Sequence, residues 1–476
     1  MIYSVWKARN SYPLYEAPAL VFSSSLYNFM FYETSAWAAE ALHLDGDDLL
    51  LSARLTTFSL ALIGVIVGLA TAAGMGFFSE RSYGILAGSA IAMFWLGTVP
   101  VGWWAWSVRP DVGAVCLASL GLLCYLRFLE TGSTWTLLLA SLGFLSAWSF
   151  KQSIVSTFVG TVLVTLACRR RWKFLLALIG PFAVGVAASL YIGGPDYRFN
   201  ILRVPSLGLL DLPNAAKAIA KPMLENPLLY LSPILALGVL VLAKTTPEQS
   251  GKQPAAWGAR LKVLGSIYLC TLAGAALLCL RSESDINYLF EAGMVASIAA
   301  LPSAIVLFQW SKQASGWFYS LAGAILAGIC ILQLAICFAP SVHSRIPNSL
   351  AFLRTSEFGR LNLLTPPQEQ NRRALAGLIA AAPKPVLIID DIFSQPWHST
   401  NNSYPAFSVD PTILYNLRLR GVIKDDRVAT LVKSRRFGTV VLSEPDYISL
   451  ARQCGYDSVA DLAGGAKLLR RSGPQQ

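Results

Sequence analysis

Four short stretches of this sequence carry polar groups suited to phosphate and hydroxyl chemistry. The first is SSSLYNFMFYE, Ser23 to Glu33, preceded by YPLYEAP at Tyr12 to Pro18; it gathers aromatic rings, the Asn28 amide and the carboxylates of Glu16 and Glu33. With Tyr27 and Asn28 at its centre, it is either a substrate-facing segment or an interfacial aromatic belt. The second is SVRPD, Ser107 to Asp111, at the end of an apolar stretch holding Trp103, Trp104 and Trp106. Arg109 and Asp111 form either a local ion pair, worth about 0 to 1 kcal/mol if exposed, or a phosphate-binding guanidinium beside a carboxylate left for a metal or an acceptor hydroxyl. The third is FKQS, where Lys151 is the one charge between Glu130 and Arg169 and Gln152 follows it. This is either the polar turn of a hairpin or a contact for a lipid-linked phosphate. The fourth is RSESDINYLFEAG, Arg281 to Gly293, with the acids Glu283, Asp285 and Glu291. Helical spacing puts Asn287 and Glu291 on one face, Tyr288 beside them. Because Glu291 enters an apolar span, a functional reading is favoured there.

The elements that must position these groups are membrane helices. Of 476 residues 54% are hydrophobic and 14% charged, and the mean hydropathy is +0.52; soluble chains carry roughly 25% charged residues. An ordinary soluble enzyme is thereby excluded, since uncharged runs of bilayer-spanning length recur up to Phe338. Ten spans are expected: Leu55 to Phe78, Gly84 to Trp104, Val112 to Leu126, Trp135 to Ser149, Ser153 to Cys168, Phe174 to Ile192, Leu228 to Ala243, Val263 to Leu280, Ala292 to Phe308 and Trp317 to Phe338. The net charge of +11 does not point to nucleic acid, because basic residues collect in cytoplasmic loops. The eight cysteines follow no disulfide or metal spacing, and His43, His343 and His398 are far apart.

Orientation follows from the basic loops. RRRWK at Arg169 to Lys173 and the segment with Lys244, Lys252, Arg260 and Lys262 fall on one side when the spans alternate, and that side is cytoplasmic. The segment before Arg54, the Arg109–Asp111 loop, the Lys151–Gln152 turn, residues 193–226, the Arg281–Glu291 loop and the tail after Ala339 then share the outer face. Ala19 to Leu42 is apolar but carries Glu33 and Glu40, at roughly 2.5 to 3.5 kcal/mol each near a span's centre; it is expected to lie on the outer surface, preceded by a transmembrane helix upstream of Met1. The tail changes character: a helix (Arg372 to Ala382) before the strand Val386 to Asp390, and a helix (Arg427 to Arg435) before the strand Phe437 to Leu442, predict a small α/β domain. No Gly-rich phosphate loop accompanies them. The expected fold is an all-α polytopic membrane protein with a small C-terminal extracytoplasmic α/β domain, organised as residues 1–53, 54–338 and 339–476.

Taken in order, YPLYEAP and SSLYNFMFY, the RPD at the outer end of a span, the FKQ turn, NYLFEA at the start of a late span and an external α/β tail resemble the GT-C superfamily of membrane glycosyltransferases, particularly the bacterial relatives of protein O-mannosyltransferases and the lipid A aminoarabinose transferase. The resemblance spans essentially the whole chain, and its specific part is the order and sidedness of the set. It implies transfer of a sugar from a polyisoprenyl-phosphate carrier to an acceptor outside the cytoplasmic membrane. It also implies that Asp111 matches the family's second acid, that Arg109, Lys151 and Arg281 contact the donor phosphate, and that Asn287, Tyr288 and Glu291 line the donor pocket. Gln152, Tyr27 and Asn28 join the substrate contacts. The family's first acid follows a first transmembrane helix upstream of the YPLYEAP segment, so Glu33 stands in for it here. Metal dependence, sugar and acceptor stay open.

Two other classes are weighed against this. A transporter or flippase would place ionisable groups at mid-membrane depth on broken helices, whereas Arg109, Lys151 and Glu291 sit at span ends. A non-catalytic membrane scaffold would use its external domain to bind a partner.

Overall fold

The computed structural model describes residues 2–15, 25, 27–45, 49–78, 81–97, 104–105, 108–168, 172–207, 210–242, 252–281, 286–313, 321, 323–331, 382–383, 385–389, 406–408, 421, 426–461 and 467–472. Two compact units emerge: one joins 1–56, 190–208 and 356–476, and the other joins 57–189 and 209–355.

The helices, in chain order, are α1 (Ile2–Arg9), α2 (Phe29–Ala41), α3 (Leu49–Gly74), α4 (Arg81–Ala92), α5 (Asp111–Thr131), α6 (Thr134–Phe150), α7 (Ser156–Cys168), α8 (Trp172–Ile192), α9 (Gly194–Arg198), α10 (Leu212–Glu225), α11 (Pro227–Leu242), α12 (Lys252–Cys279) and α13 (Phe290–Gln313). Among the described residues five are long and apolar enough to cross a membrane, or six if α10 and α11, bent by 94° at Asn226, form one broken span. The apolar helices Gly84–Leu96, α6 and α7 are shorter. Nine of the ten expected spans thus fall on apolar helices, and the tenth lies largely outside the described residues, with 323–331 helical.

Three boundaries differ from expectation for physical reasons. Helix α3 begins before Leu55 because Leu49–Leu51 are apolar and Arg54 is accommodated buried inside the helix. After Ala92, α4 widens into a π turn, Met93–Gly97. Residues 193–226, expected as a loop, contain α9, a π turn (Phe199–Arg203) and α10, whose Asp211 cap accepts from Asn214 N at 2.9 Å. Along α10, Ala215, Ala218 and Pro222 are buried and Lys217 and Lys221 exposed, the pattern of a helix lying on a surface.

In the first unit, β1 (Val386–Ile389), β2 (Ala406–Ser408), β3 (Thr439–Leu442), β4 (Tyr456–Asp461) and β5 (Lys467–Arg471) form a sheet of order β2-β1-β3-β5-β4. The first three strands run parallel; β5 is antiparallel to β3 and β4. Strands β1 and β3 are buried along their whole length, as central parallel strands require. Helices α14 (Arg427–Lys433) and α15 (Pro445–Gln453) contribute Val428, Leu431, Val432, Ile448 and Ala451 to one core with Leu387, Val440 and Leu469. Val204, from the segment after α9, enters the same core. The α14 and β3 regions were expected; β2, α15, β4 and β5 were not, and the expected helix at Arg372 lies outside the described residues save Ala382, which is not helical.

Candidate functional site

The second unit brings three of its helix ends together around Asp111. Helices α5 and α6 are antiparallel neighbours joined by Gly132, whose φ of +68° closes α5 in the left-handed conformation that glycine adopts without strain. The first residue of α5 therefore lies beside the residue that follows α6. These are Asp111 and Lys151, 0% and 3% exposed, and the lysine ammonium donates to Asp111 Oδ1. Each charge also sits at the helix end whose dipole favours it: the carboxylate in a first turn, the ammonium after a last turn. Gly113 permits this approach, since a Cβ there would lie 2.6 Å from the Phe150 ring and 2.8 Å from Leu60.

The third partner comes from the 3-10 turn Ile286–Leu289 that leads into α13. Asn287 Nδ2 donates to Asp111 Oδ1 at 2.8 Å. One carboxylate oxygen thus serves two donors, while Asp111 Oδ2 and Asn287 Oδ1 are buried without a hydrogen-bond partner among the described residues. Such acceptors are costly to bury unmatched and are suited to a hydroxyl or cation brought by a substrate. Tyr288 lies against the lysine, the ammonium 5.0 Å from its ring centre, and also packs with Ala215, Ala218 and Cys279 beneath α10.

The remaining sequence-derived candidates divide. Arg109, half-buried, stacks its guanidinium 4.5 Å above Trp104, whose ring meets Phe290 of α13 edge-on at 5.6 Å. Gln152 and Ser153 form the turn after Lys151, with Ser153 Oγ buried and unbonded among the described residues. Arg281 pairs through its backbone with Leu210 in an isolated antiparallel bridge, and Asp211 N donates to Leu280 O at 2.8 Å. Glu291, expected to line a donor pocket, has both oxygens occupied by α7: Oε1 accepts from Thr157 N and Thr157 Oγ1 at 2.8 Å, and Oε2 from Ser156 N at 3.2 Å. Glu283 and Asp285 lie outside the described residues. No three His, Cys, Asp or Glu side chains among the described residues are grouped to hold a metal ion.

Tyr27, Asn28 and Glu33 belong to the first unit. Asn28, immediately before α2, is fully buried and accepts from Tyr197 Oη at 2.7 Å; Tyr15 donates to the Tyr27 carbonyl at 2.8 Å and meets the Tyr197 ring edge-on at 4.8 Å. Burial pushes the Tyr15 and Tyr197 phenols up, so both remain donors. Partial burial also raises the Glu33 carboxyl above its ordinary range. Sequence reasoning missed Ser156, Thr157, Trp104 and Tyr197. A Ser-Thr pair opening an apolar run is a helix-start signal, but nothing local reveals that its partner is a glutamate 134 positions away.

The sequence matches no protein-family model and no curated protein. Among solved structures, it is similar to ArnT from Cupriavidus metallidurans bound to undecaprenyl phosphate, with a TM-score of 0.58 at 14% identity over 99% of this chain and 93% of that one. The same protein in its apo state gives a TM-score of 0.56 at 16% identity with equal coverage. At such identity the likeness is one of fold, and it extends over nearly the whole of both chains: this polytopic helical chain with its C-terminal sheet has a fold like that of ArnT.

Proposed function

We propose that this chain is an integral membrane glycosyltransferase of the cytoplasmic membrane, moving a sugar from a polyisoprenyl-phosphate donor to an acceptor hydroxyl on the outer side. The observation that carries the proposal is the buried cluster of Asp111, Lys151 and Asn287 at the ends of apolar helices in an ArnT-like fold. The ArnT neighbour is described with undecaprenyl phosphate bound. A polyisoprenyl tail stays in lipid while its phosphate meets the interface, which calls for apolar helices below and cations at the rim. A carrier protein would instead place its ionisable groups at mid-depth on broken helices.

In this reading Lys151, with Arg109 and Arg281 on neighbouring segments, neutralises the donor phosphate. The acceptor oxygen attacks the anomeric carbon, the bond from that carbon to the phosphate oxygen breaks, and the electron pair leaves with the polyisoprenyl phosphate. The acceptor proton passes to a carboxylate. Asp111 fixes the lysine through Oδ1 and offers Oδ2 to the substrate. Gln152, Asn287 and Tyr288 line the donor side. Tyr27, Asn28 and the acid Glu33 are proposed for substrate contact and proton removal on motif order, and a carboxyl with a raised pKa is the better base near neutral pH.

The test is sugar transfer by membranes carrying Asp111→Asn or Lys151→Met, normalised to protein abundance, with a polyisoprenyl-phosphate sugar as donor. A loss of roughly 10² to 10⁴ in rate is expected in each. Full activity in both variants would sink the assignment.

A further inference from the structure

Glu291 is enclosed, 2% exposed, and its hydrogen bonds, to the backbone N–H and hydroxyl groups of Ser156 and Thr157, go to the first turn of α7. That turn begins five residues after Lys151. The connecting stretch is fixed at its near end by Lys151 N donating to Ala147 O at 3.0 Å, and internally by Ile154 N donating to Lys151 O at 3.0 Å. Four residues before Glu291, Asn287 bonds Asp111, which also holds the lysine. The contacts therefore close a ring from Asp111 to Lys151, along the turn to Ser156 and Thr157, across to Glu291, back to Asn287 and again to Asp111.

We propose that Glu291 is a positioning residue: by holding the first turn of α7 it sets where the Lys151 ammonium meets the donor phosphate. This rests on the reading of Lys151 as a phosphate ligand. A carboxylate suits the place because the Ser156 and Thr157 groups facing it are donors and two of them are the backbone N–H groups that a helix start leaves unpaired. A glutamine would turn its own N–H₂ toward one of them, leaving a buried donor unmatched. The rest of α7 is held independently, since a Cβ at Gly160 would come within 3.1 Å of Ile267 on α12; in the turn itself the Ser156 side chain also packs against Gly274 of α12. Loss of the Glu291 contacts thus displaces the turn rather than the helix.

The experiment measures binding of sugar-free polyisoprenyl phosphate to the purified full chain in detergent. Glu291→Gln should weaken binding by at least about tenfold, and so should Lys151→Met. The double variant should bind within about twofold of Lys151→Met alone, because both act through one contact. Thr157→Val, which removes one donor and leaves the charges intact, should weaken binding severalfold and likewise have no further effect in the Lys151→Met background; it reads the same coupling if the Glu291 variant folds poorly. Additive losses, or full affinity in Glu291→Gln beside weakened Lys151→Met, would overturn the positioning role and leave the proposed function standing. Equal affinity of the native chain and Lys151→Met would overturn both.

Discussion

Asp111 and Lys151 carry opposite charges into a buried site, and neither is tolerable there alone. Removing two ions from water costs several kcal/mol per ion even after relaxation, and mutual attraction offsets this only with good geometry and further hydrogen bonds. Asn287 supplies one of these, at 2.8 Å to the oxygen that also receives the lysine. A pair kept at such cost, with Asp111 Oδ2 left unmatched among the described residues, is better explained by a substrate than by stability. The expected outcome follows from that balance. Asp111→Asn and Lys151→Met should each destabilise the purified protein by roughly 3 to 5 kcal/mol, because each leaves a buried charge uncompensated. The double neutral variant should recover most of that loss while remaining inactive in transfer. Thermal unfolding in detergent, read beside the activity assay, checks it; a double variant no more stable than either single one would mean that the two charges are not coupled.

Helices α5 and α6 convert a separation of 40 residues into a contact. Their spacing depends on glycine: a Cβ on Gly143 would lie 2.8 Å from the backbone nitrogen of Gly121, and one on Gly121 would lie 2.8 Å from the Phe144 ring. Backbone cannot give way as a flexible side chain can. Gly143→Val should therefore push the helices apart, lower stability by about 1 to 3 kcal/mol and reduce transfer, since the hairpin's far ends hold the ion pair. Gly238→Ala, where an added Cβ meets nothing within 4 Å, should be neutral or slightly stabilising. Unfolding midpoints of both variants decide this, and equal tolerance would show that close approach is not what sets the hairpin. At this scale the sequence was informative wherever apolar length and charge decide the outcome: Val112–Leu126 and Trp135–Ser149 were expected, and α5 and α6 contain them. Asp111, Lys151, Asn287 and Tyr288 were singled out because polar groups at span ends are few. Long-range pairing was not legible. The bond between Glu291 and α7 joins residues with no local mark of each other, and the entry of Val204 into the α/β core depends on packing between distant stretches of chain.

Within the helical unit, the two ends of α5 differ in chemistry, which gives the molecule its sidedness. The Asp111 end holds the buried cluster. The other end of the same helix, about 31 Å away at the α-helical rise, holds Arg127 paired with Glu130 at 3.0 Å; Arg260, in the N-terminal third of α12, lies 3.8 Å from Glu130 and donates to the Met75 carbonyl after α3. Chain alternation places Lys173, at the start of α8, at that same basic end, and basic ends face the cytoplasm. On the proposed orientation the Asp111 cluster would face outward, as the proposed transfer from a lipid carrier to an external acceptor requires. In a chain freed of its own cysteines, Leu210→Cys, at an 80% exposed position in the bridge to Arg281, should react with a membrane-impermeant maleimide on intact cells. Val459→Cys on β4, at a position 44% exposed, should react likewise if the sheet domain is external. Lys173→Cys, at an exposed position, should react only after permeabilisation. The inverse pattern would turn the Asp111 cluster toward the cytoplasm and defeat outer-face transfer. Labelling of Leu210→Cys and Lys173→Cys from the same side would instead break the alternation from which that orientation is derived.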